Sequence, residues 1–280
     1  MSRRQALAVL SLALLWKSGL AVPDPRMDDL RLEEQISLAQ GLCVKAGNTY
    51  QDWFNGRINS PPAARAVAEN LAGLQTFQDQ AVRLAVPGAR AAVRHWARMQ
   101  KQELKFFLAD IKPNKQRPTQ AELQQRWQNA VDIQTDLVTA RGQQLEVVSK
   151  GAGRPELLAY YRWKRELLDI QKSELGLARQ VAQGFQLRRP LNGITSQALS
   201  LARRAEAVKA PAVCQKAQSL YVERFNVLSR LCDAADEAIQ STNQETVEEL
   251  QDNEAVYRQK TLASDDASLV ALRALLSKSR

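Results

Sequence analysis

The chain has 280 residues and a formal net charge of +9. Aromatic residues make up 6%, glycine occurs only 12 times, and helix-forming residues dominate the rest of the composition. Runs of β-branched residues with a period of two are absent, which argues against a β-rich fold. The basic bias is too mild to be a nucleic-acid signature by itself, and the length suits one large or two modest domains.

The first 21 residues have the features of a cleavable signal peptide. Arg3 and Arg4 precede an uncharged run over residues 6–16 that is rich in leucine and alanine. This run is much shorter than the about 20 residues of a membrane-spanning helix. Gly19 and Ala21 are the small residues that a signal peptidase requires, so we predict cleavage after Ala21. An uncleaved anchor and an ordinary N-terminal helix are the alternatives.

The stretch Ser2–Leu7 also resembles the twin-arginine export signal, and Lys17 near the end of the signal is typical of that class. Ala6 departs from the motif, which usually has an aromatic residue there, and arginine pairs also occur in general secretory signals. The sequence therefore predicts export to the periplasm or beyond the cell and leaves the route undecided. The twin-arginine resemblance implies folding before export, in some cases around a cofactor.

Residues typical of helix starts and ends predict long α-helices separated by short loops over residues 22–280. Residues 47–48 resemble a helix C-terminus, Thr119–Glu122 matches a capping box, and Thr195 resembles an N-cap. The stretch Ser264–Asp266 is typical of the start of a terminal helix. Because short loops make neighbouring helices antiparallel, we predict an all-α, elongated up-and-down bundle. Its subdivision, if there is one, is expected near residues 151–155 or 189–195.

Three cysteines lie in this predicted bundle: Cys43, Cys214 and Cys232. Cys214 and Cys232 belong to an apolar stripe with alternating spacings of four and three, which indicates a buried helix face. A continuous helix would hold them about 27 Å apart, whereas a disulfide needs Cα atoms within about 7 Å. A disulfide from Cys43 to either one, and three buried reduced thiols, remain as alternatives. The stripe consists of Cys214, Gln218, Tyr221, Phe225, Leu228, Cys232, Ala235 and Ile239.

The sequence contains no recognisable catalytic motif. His95 is the only histidine, and Met99 follows it on the same helix face, so the two cannot both be axial ligands of one haem. We therefore expect His95 to be a surface residue and predict no cofactor, no metal site and no enzymatic activity. Paired acids at helical spacing are more typical of a solvated face than of a catalytic cleft. These acids are Asp132, Asp136, Asp233, Asp236 and Glu237.

The clearest patterned surface is a basic helix face with spacings of four, four, three and four. This basic face consists of Arg90, Arg94, Arg98, Lys101 and Lys105. Lys112, Lys115 and Arg117 follow it along the chain. Like charges one turn apart are mildly destabilising, so the pattern indicates either an anionic partner or acids on a neighbouring helix that neutralise the face.

We therefore predict an exported, non-enzymatic helical-bundle protein of a bacterial cell envelope. Its basic face is expected to bind a partner protein or an anionic lipid or polymer surface. Nucleic acid is not an expected partner of an exported protein. The alternative is a periplasmic bundle that binds a small molecule or cofactor in an apolar cavity between long helices.

Overall fold

A computed structural model describes residues 25–74, 87–112, 119–241 and 243–277. Within these residues the protein consists of helices and contains no strand, which confirms the predicted all-α class. The predicted signal, its cleavage position Ala21 and the basic residues Lys115 and Arg117 lie outside the described residues. The eight described α-helices are α1 (Pro25–Phe54), α2 (Ser60–Leu74), α3 (Pro87–Asp110), α4 (Gln120–Lys150), α5 (Pro155–Leu187), α6 (Ile194–Ala207), α7 (Gln215–Gln240) and α8 (Gln244–Ser277).

Each helix packs against the next helix in sequence, and α8 returns to pack against α1. The buried apolar side chains form two clusters. One cluster lies mainly among α5, α6, α7 and the end of α8, and the other lies among α1, α2, α3 and the middle of α4. Helices α1 and α4 contribute to both clusters, because Leu30 and Val138 belong to the first and Ile36 and Leu137 to the second. These two helices therefore join the two parts of the bundle.

Helix α1 does not end near residues 47–48, as its sequence suggests, but continues to Phe54. The Tyr50 ring stacks on Phe107 of α3 with centroids 4.3 Å apart. The Tyr50 hydroxyl donates a hydrogen bond of 3.1 Å to Asp110. A glycine inside a helix costs about 1 kcal/mol, and burial of an aromatic ring against a neighbouring helix outweighs this cost.

The predicted N-cap at Thr195 is wrong by two residues. Helix α6 begins at Ile194, and its N-cap is Gly193, which has a φ angle of 74°. This left-handed conformation favours glycine, and it lets the chain turn directly from the preceding loop into the helix. The Thr195 hydroxyl instead donates a hydrogen bond of 3.3 Å to Asp233 of α7.

The predicted helix start at Ser264–Asp266 is also wrong, since α8 passes through these residues without a break. Ser264 and Asp265 are buried in the middle of the helix. The Ser264 hydroxyl donates to the Thr261 carbonyl within the helix, and Asp265 contacts side chains of α5 and α7. Residues that are typical of an N-cap serve here as interior polar contacts.

The predicted capping box at the start of α4 is confirmed. The Thr119 side chain accepts the Glu122 amide at 3.3 Å, and the Glu122 carboxylate accepts the Thr119 amide at 2.8 Å. We expect Thr119→Ala to lower the free energy of unfolding by about 1 kcal/mol, because it leaves an amide of the first turn without its acceptor. Urea denaturation measures this loss, and Thr119→Ser is the control that keeps the cap. Equal losses in both variants would contradict the expectation.

Candidate functional site

The basic face lies on α3, whose opposite side packs into the bundle. Val93, Trp96 and Leu104 are buried on that opposite side. Trp96 also donates a hydrogen bond of 2.9 Å from its indole nitrogen to Gln134 of α4, which fixes the rotation of α3 about its own axis. As a result, the face that carries the basic residues turns outward.

The five basic residues are not equally exposed. Arg94, Arg98 and Lys105 are exposed, whereas Arg90 and Lys101 are half-buried. Lys112, at the end of the described segment, is exposed as well. The outer part of the face therefore consists of three cations along one side of α3.

These three cations form no ion pair with a described acidic residue, and the same holds for other exposed cations such as Arg65, Arg203 and Arg230. For some other surface cations, a neighbouring helix supplies an acid: Lys260 lies 2.6 Å from Glu223 and Arg273 lies 2.8 Å from Glu34. Arg94, Arg98 and Lys105 have no such partner within 4.0 Å among the described acids. Among the described residues, therefore, no neighbouring helix supplies an acid that neutralises these three cations.

A groove of about 350 Å³ lies beside the basic face, between α3 and α4. Its wall contains Met99, Phe106 and Ile133 together with the half-buried Glu103. Burial raises the pKa of the Glu103 carboxyl. Arg126 lies 4.5 Å from the centre of the Phe106 ring. The groove is therefore mainly apolar, with a few charged groups along it.

His95 and the predicted carboxylate pairs do not form a joint site. His95 is exposed on α3, in agreement with the sequence interpretation. Asp132 binds Arg179 at 3.0 Å, and Asp236 accepts the Leu191 amide at 2.6 Å. Asp136 and Glu237 are exposed. Among the described residues, no group of three or more histidine, cysteine or acidic side chains is arranged to hold a metal ion.

The thiols are free in the structure, and each lies in or against an apolar cluster. Cys214 and Cys232 are buried in the first cluster, and the half-buried Cys43 packs against the second. Burial raises the pKa of Cys214 and Cys232 to about 12 and raises that of Cys43 as well. All eight residues of the predicted α7 stripe are buried, which confirms that this face packs into the core.

A set of buried charges that was not predicted from the sequence lies between α1, α4, α5, α7 and α8. Arg141 of α4 binds Glu33 of α1 through two hydrogen bonds, from Nε at 3.0 Å and from Nη2. Both side chains are nearly buried, with exposed fractions of 3% and 10%. This pair ties α1 to α4 at the junction of the two apolar clusters.

Lys164 of α5 is the centre of a second buried contact. Its ammonium group donates to the Tyr221 hydroxyl at 2.6 Å and to Asp265 at 3.4 Å. The Tyr221 hydroxyl donates in turn to Asp265 at 2.6 Å. Burial lowers the pKa of Lys164, although Asp265 opposes this effect. Burial alone would raise the pKa of Asp265, but the cations Lys164, Arg141 and Arg224 hold it below its ordinary value.

Arg224 of α7 forms the third buried contact, with Glu174 of α5. Its Nε and Nη2 atoms donate to the two carboxylate oxygens, and Nη2 also donates to the Tyr257 hydroxyl at 3.2 Å. Tyr257 of α8 donates to the same carboxylate. Burial raises the pKa of Glu174, and Arg224 opposes that shift.

These residues were not predicted from the sequence, because each one is a single charged position within an otherwise apolar stripe of its helix. Lys164 lies one turn from Tyr160 and from Leu168, both of which are buried. Arg141 lies one turn from Leu137 and from Leu145 in the same way. A lone charge between two buried positions at spacings of four is the signal that indicates a buried ion pair.

None of the helices in the described part of the chain has the length and apolar character needed to cross a bilayer. No protein-family model, curated protein or solved structure matches the chain.

Proposed function

We propose that this chain is an exported, non-enzymatic helical-bundle protein of the cell envelope that binds an anionic surface through the basic face of α3. The observation that carries the proposal is the group of exposed cations Arg94, Arg98 and Lys105, which have no acidic partner among the described residues. Aligned like charges repel one another, so a ligand that supplies negative charge stabilises them.

The dimensions of the face favour a surface with repeated charges. Arg94 and Lys105 are about 16 Å apart along the helix axis, at the rise of an α-helix. Among the described residues of α3, no large apolar side chain is exposed beside them. The contact is therefore electrostatic and does not require insertion into an apolar phase. Anionic lipid headgroups supply closely spaced phosphates in one plane, and each nearby cation contributes about 1 kcal/mol to such binding.

The export part of the proposal rests on residues 1–21 and their resemblance to a signal peptide. The mass of the protein isolated from its own cells tests it. A mass that lacks residues 1–21 supports export, and a full-length mass in the cytoplasmic fraction contradicts it.

Cosedimentation with phosphatidylglycerol vesicles tests the binding itself. We expect strong binding at low salt, weak binding above physiological salt, and none to phosphatidylcholine vesicles, because the Debye length falls from about 30 Å at 0.01 M to about 8 Å at 0.15 M. Binding that is insensitive to salt, or equal for the two lipids, would contradict the proposal. Salt-sensitive binding to soluble poly-glutamate but not to vesicles would assign the face to an acidic polymer or protein.

The groove between α3 and α4 favours a second candidate function, the binding of a small apolar molecule. The uncharged fluorescent probe N-phenyl-1-naphthylamine tests this candidate without interference from the basic face. A fluorescence increase that Ala130→Trp abolishes would support it, since Ala130 lines the groove. An increase that the variant leaves unchanged would place the probe elsewhere and reject it.

A further inference from the structure

The buried charges at the junction of the two apolar clusters do not balance. Three acids and two bases come together there from four helices: Asp29, Glu33, Asp265, Arg141 and Lys164. Arg141 binds Glu33, and Lys164 binds Asp265. The neighbouring cation Arg224 is matched by Glu174. The carboxyl of Asp29 is left as one excess negative charge.

Asp29 also lacks the hydrogen bonds that stabilise a buried carboxylate. The residue is 1% exposed, and its Oδ2 atom has no hydrogen-bond partner. Gln144 of α4 is equally buried, and neither its amide nitrogen nor its amide oxygen has a partner. Asp29 lies one turn from Glu33 on α1, and Gln144 lies one turn from Arg141 on α4, so both flank the Glu33–Arg141 pair.

An ionised carboxylate in such surroundings costs far more free energy than a protonated one. Transfer of an unpaired charge from water to an apolar interior is so unfavourable that a carboxyl normally takes up a proton instead. Glu33, an acid one turn away on the same helix, adds to the cost of a second negative charge. A proton on Asp29 removes the excess charge and supplies an O–H donor.

We propose that Asp29 is a buried proton-binding site, which holds a proton at neutral pH and destabilises the packing of α1 when it releases that proton at alkaline pH. This inference is independent of the binding function proposed for α3. Its ligand is a single proton, and the site is the interior between α1, α4 and α5.

The pKa of Asp29 agrees with this geometry. It is raised to about 8, because burial and, to a smaller extent, Glu33 raise it more than Arg141 and Lys164 lower it. The other charged or titratable groups nearby are Asp265 of α8 and the hydroxyls of Tyr160 and Tyr221 of α5 and α7. Burial raises the pKa of both tyrosines well above the ordinary value, so they stay neutral in this range.

The direction of the pH effect follows from the difference between the folded and unfolded pKa values. Between the ordinary value of 3.8 and about 8, the folded protein holds a proton on Asp29 that the unfolded chain does not. The contribution of Asp29 to stability is therefore fully present when the pH is below the ordinary pKa of 3.8. It is lost as the pH rises through the folded pKa of about 8.

Thermal unfolding of Asp29→Asn as a function of pH tests the proposal, because asparagine resembles the protonated acid. From about pH 4 to about pH 8, we expect the melting temperature of the unchanged protein to fall progressively below that of the variant, and the two to converge only as the pH approaches the ordinary pKa of 3.8. Asp52→Asn is the matched control, since Asp52 lies on the same helix with a side chain that is 44% exposed. The control should follow the unchanged protein throughout.

Parallel melting curves of the unchanged protein and Asp29→Asn would overturn the proposal. So would a melting temperature that at alkaline pH depends on potassium concentration, since the site would then hold a metal cation. If Asp29→Asn does not fold, infrared spectra of the unchanged protein with carbon-13 at the aspartate carboxyls decide the matter. A protonated aspartate band present at neutral pH and lost at alkaline pH supports the proposal, and its absence at neutral pH overturns it.

Discussion

Replacement of Arg94 and Arg98 by glutamate should abolish binding to phosphatidylglycerol vesicles at physiological salt. Each arginine contributes about 1 kcal/mol near an anionic surface, and each glutamate is repelled by a similar amount. The double change therefore costs about 4 kcal/mol, which corresponds to roughly a thousandfold loss in affinity. Both side chains are exposed and form no ion pair with the described acids, so the thermal stability should change little.

A matched pair of charge reversals separates the basic face from the net charge of the protein. Arg203 of α6 and Arg230 of α7 are also exposed, and their replacement by glutamate changes the net charge by the same amount. We expect this control to retain most of the binding. If both double variants lose binding equally, the interaction follows the overall charge and does not reside on α3.

Replacement of Arg224 by methionine should lower the free energy of unfolding by about 3–5 kcal/mol. The change leaves the Glu174 carboxylate buried without its cation, and both side chains of the pair are about 95% buried. Guanidinium chloride denaturation measures the loss. The exposed pair between Lys260 and Glu223 joins the adjacent helices α7 and α8. Lys260→Met is therefore the control, with an expected loss below about 1 kcal/mol.

A second substitution distinguishes an unpaired buried charge from a simple packing defect. When Arg224→Met is combined with Glu174→Leu, neither charge of this pair remains, and apolar replacement of both partners of a buried pair is often neutral. We expect the double variant to recover most of the stability that the single variant loses. If the two losses add, the contribution of Arg224 comes from packing rather than from its charge.

Local patterns were sufficient for several features that depend on one helix. The spacing from Cys214 to Ile239 identified the buried face of α7, and Thr119 with Glu122 identified the start of α4. The spacing of the basic residues also placed them on one face of α3. Helix periodicity and capping chemistry act within a few residues, so a sequence shows them directly.

Features that depend on distant partners were not predictable in this way. Asp265 has the character of an N-cap residue, and its contacts with distant side chains, such as Lys164 101 residues away, make it an interior group. The pairing of Glu33 with Arg141 spans 108 residues in the same manner. The partial burial of Arg90 and Lys101 also depends on how α3 is rotated against its neighbours, which the spacing of the basic residues does not specify.

A fluorophore placed on the basic face measures directly whether α3 contacts the anionic surface. Gln102 is exposed on α3 and Gln180 is exposed on α5, so each accepts a cysteine for labelling. The raised pKa of each native thiol slows its reaction with the label. With vesicles that carry a quencher on an anionic headgroup, we expect strong quenching of the label at position 102 and weak quenching at position 180. Equal quenching, or stronger quenching at position 180, would contradict binding through α3.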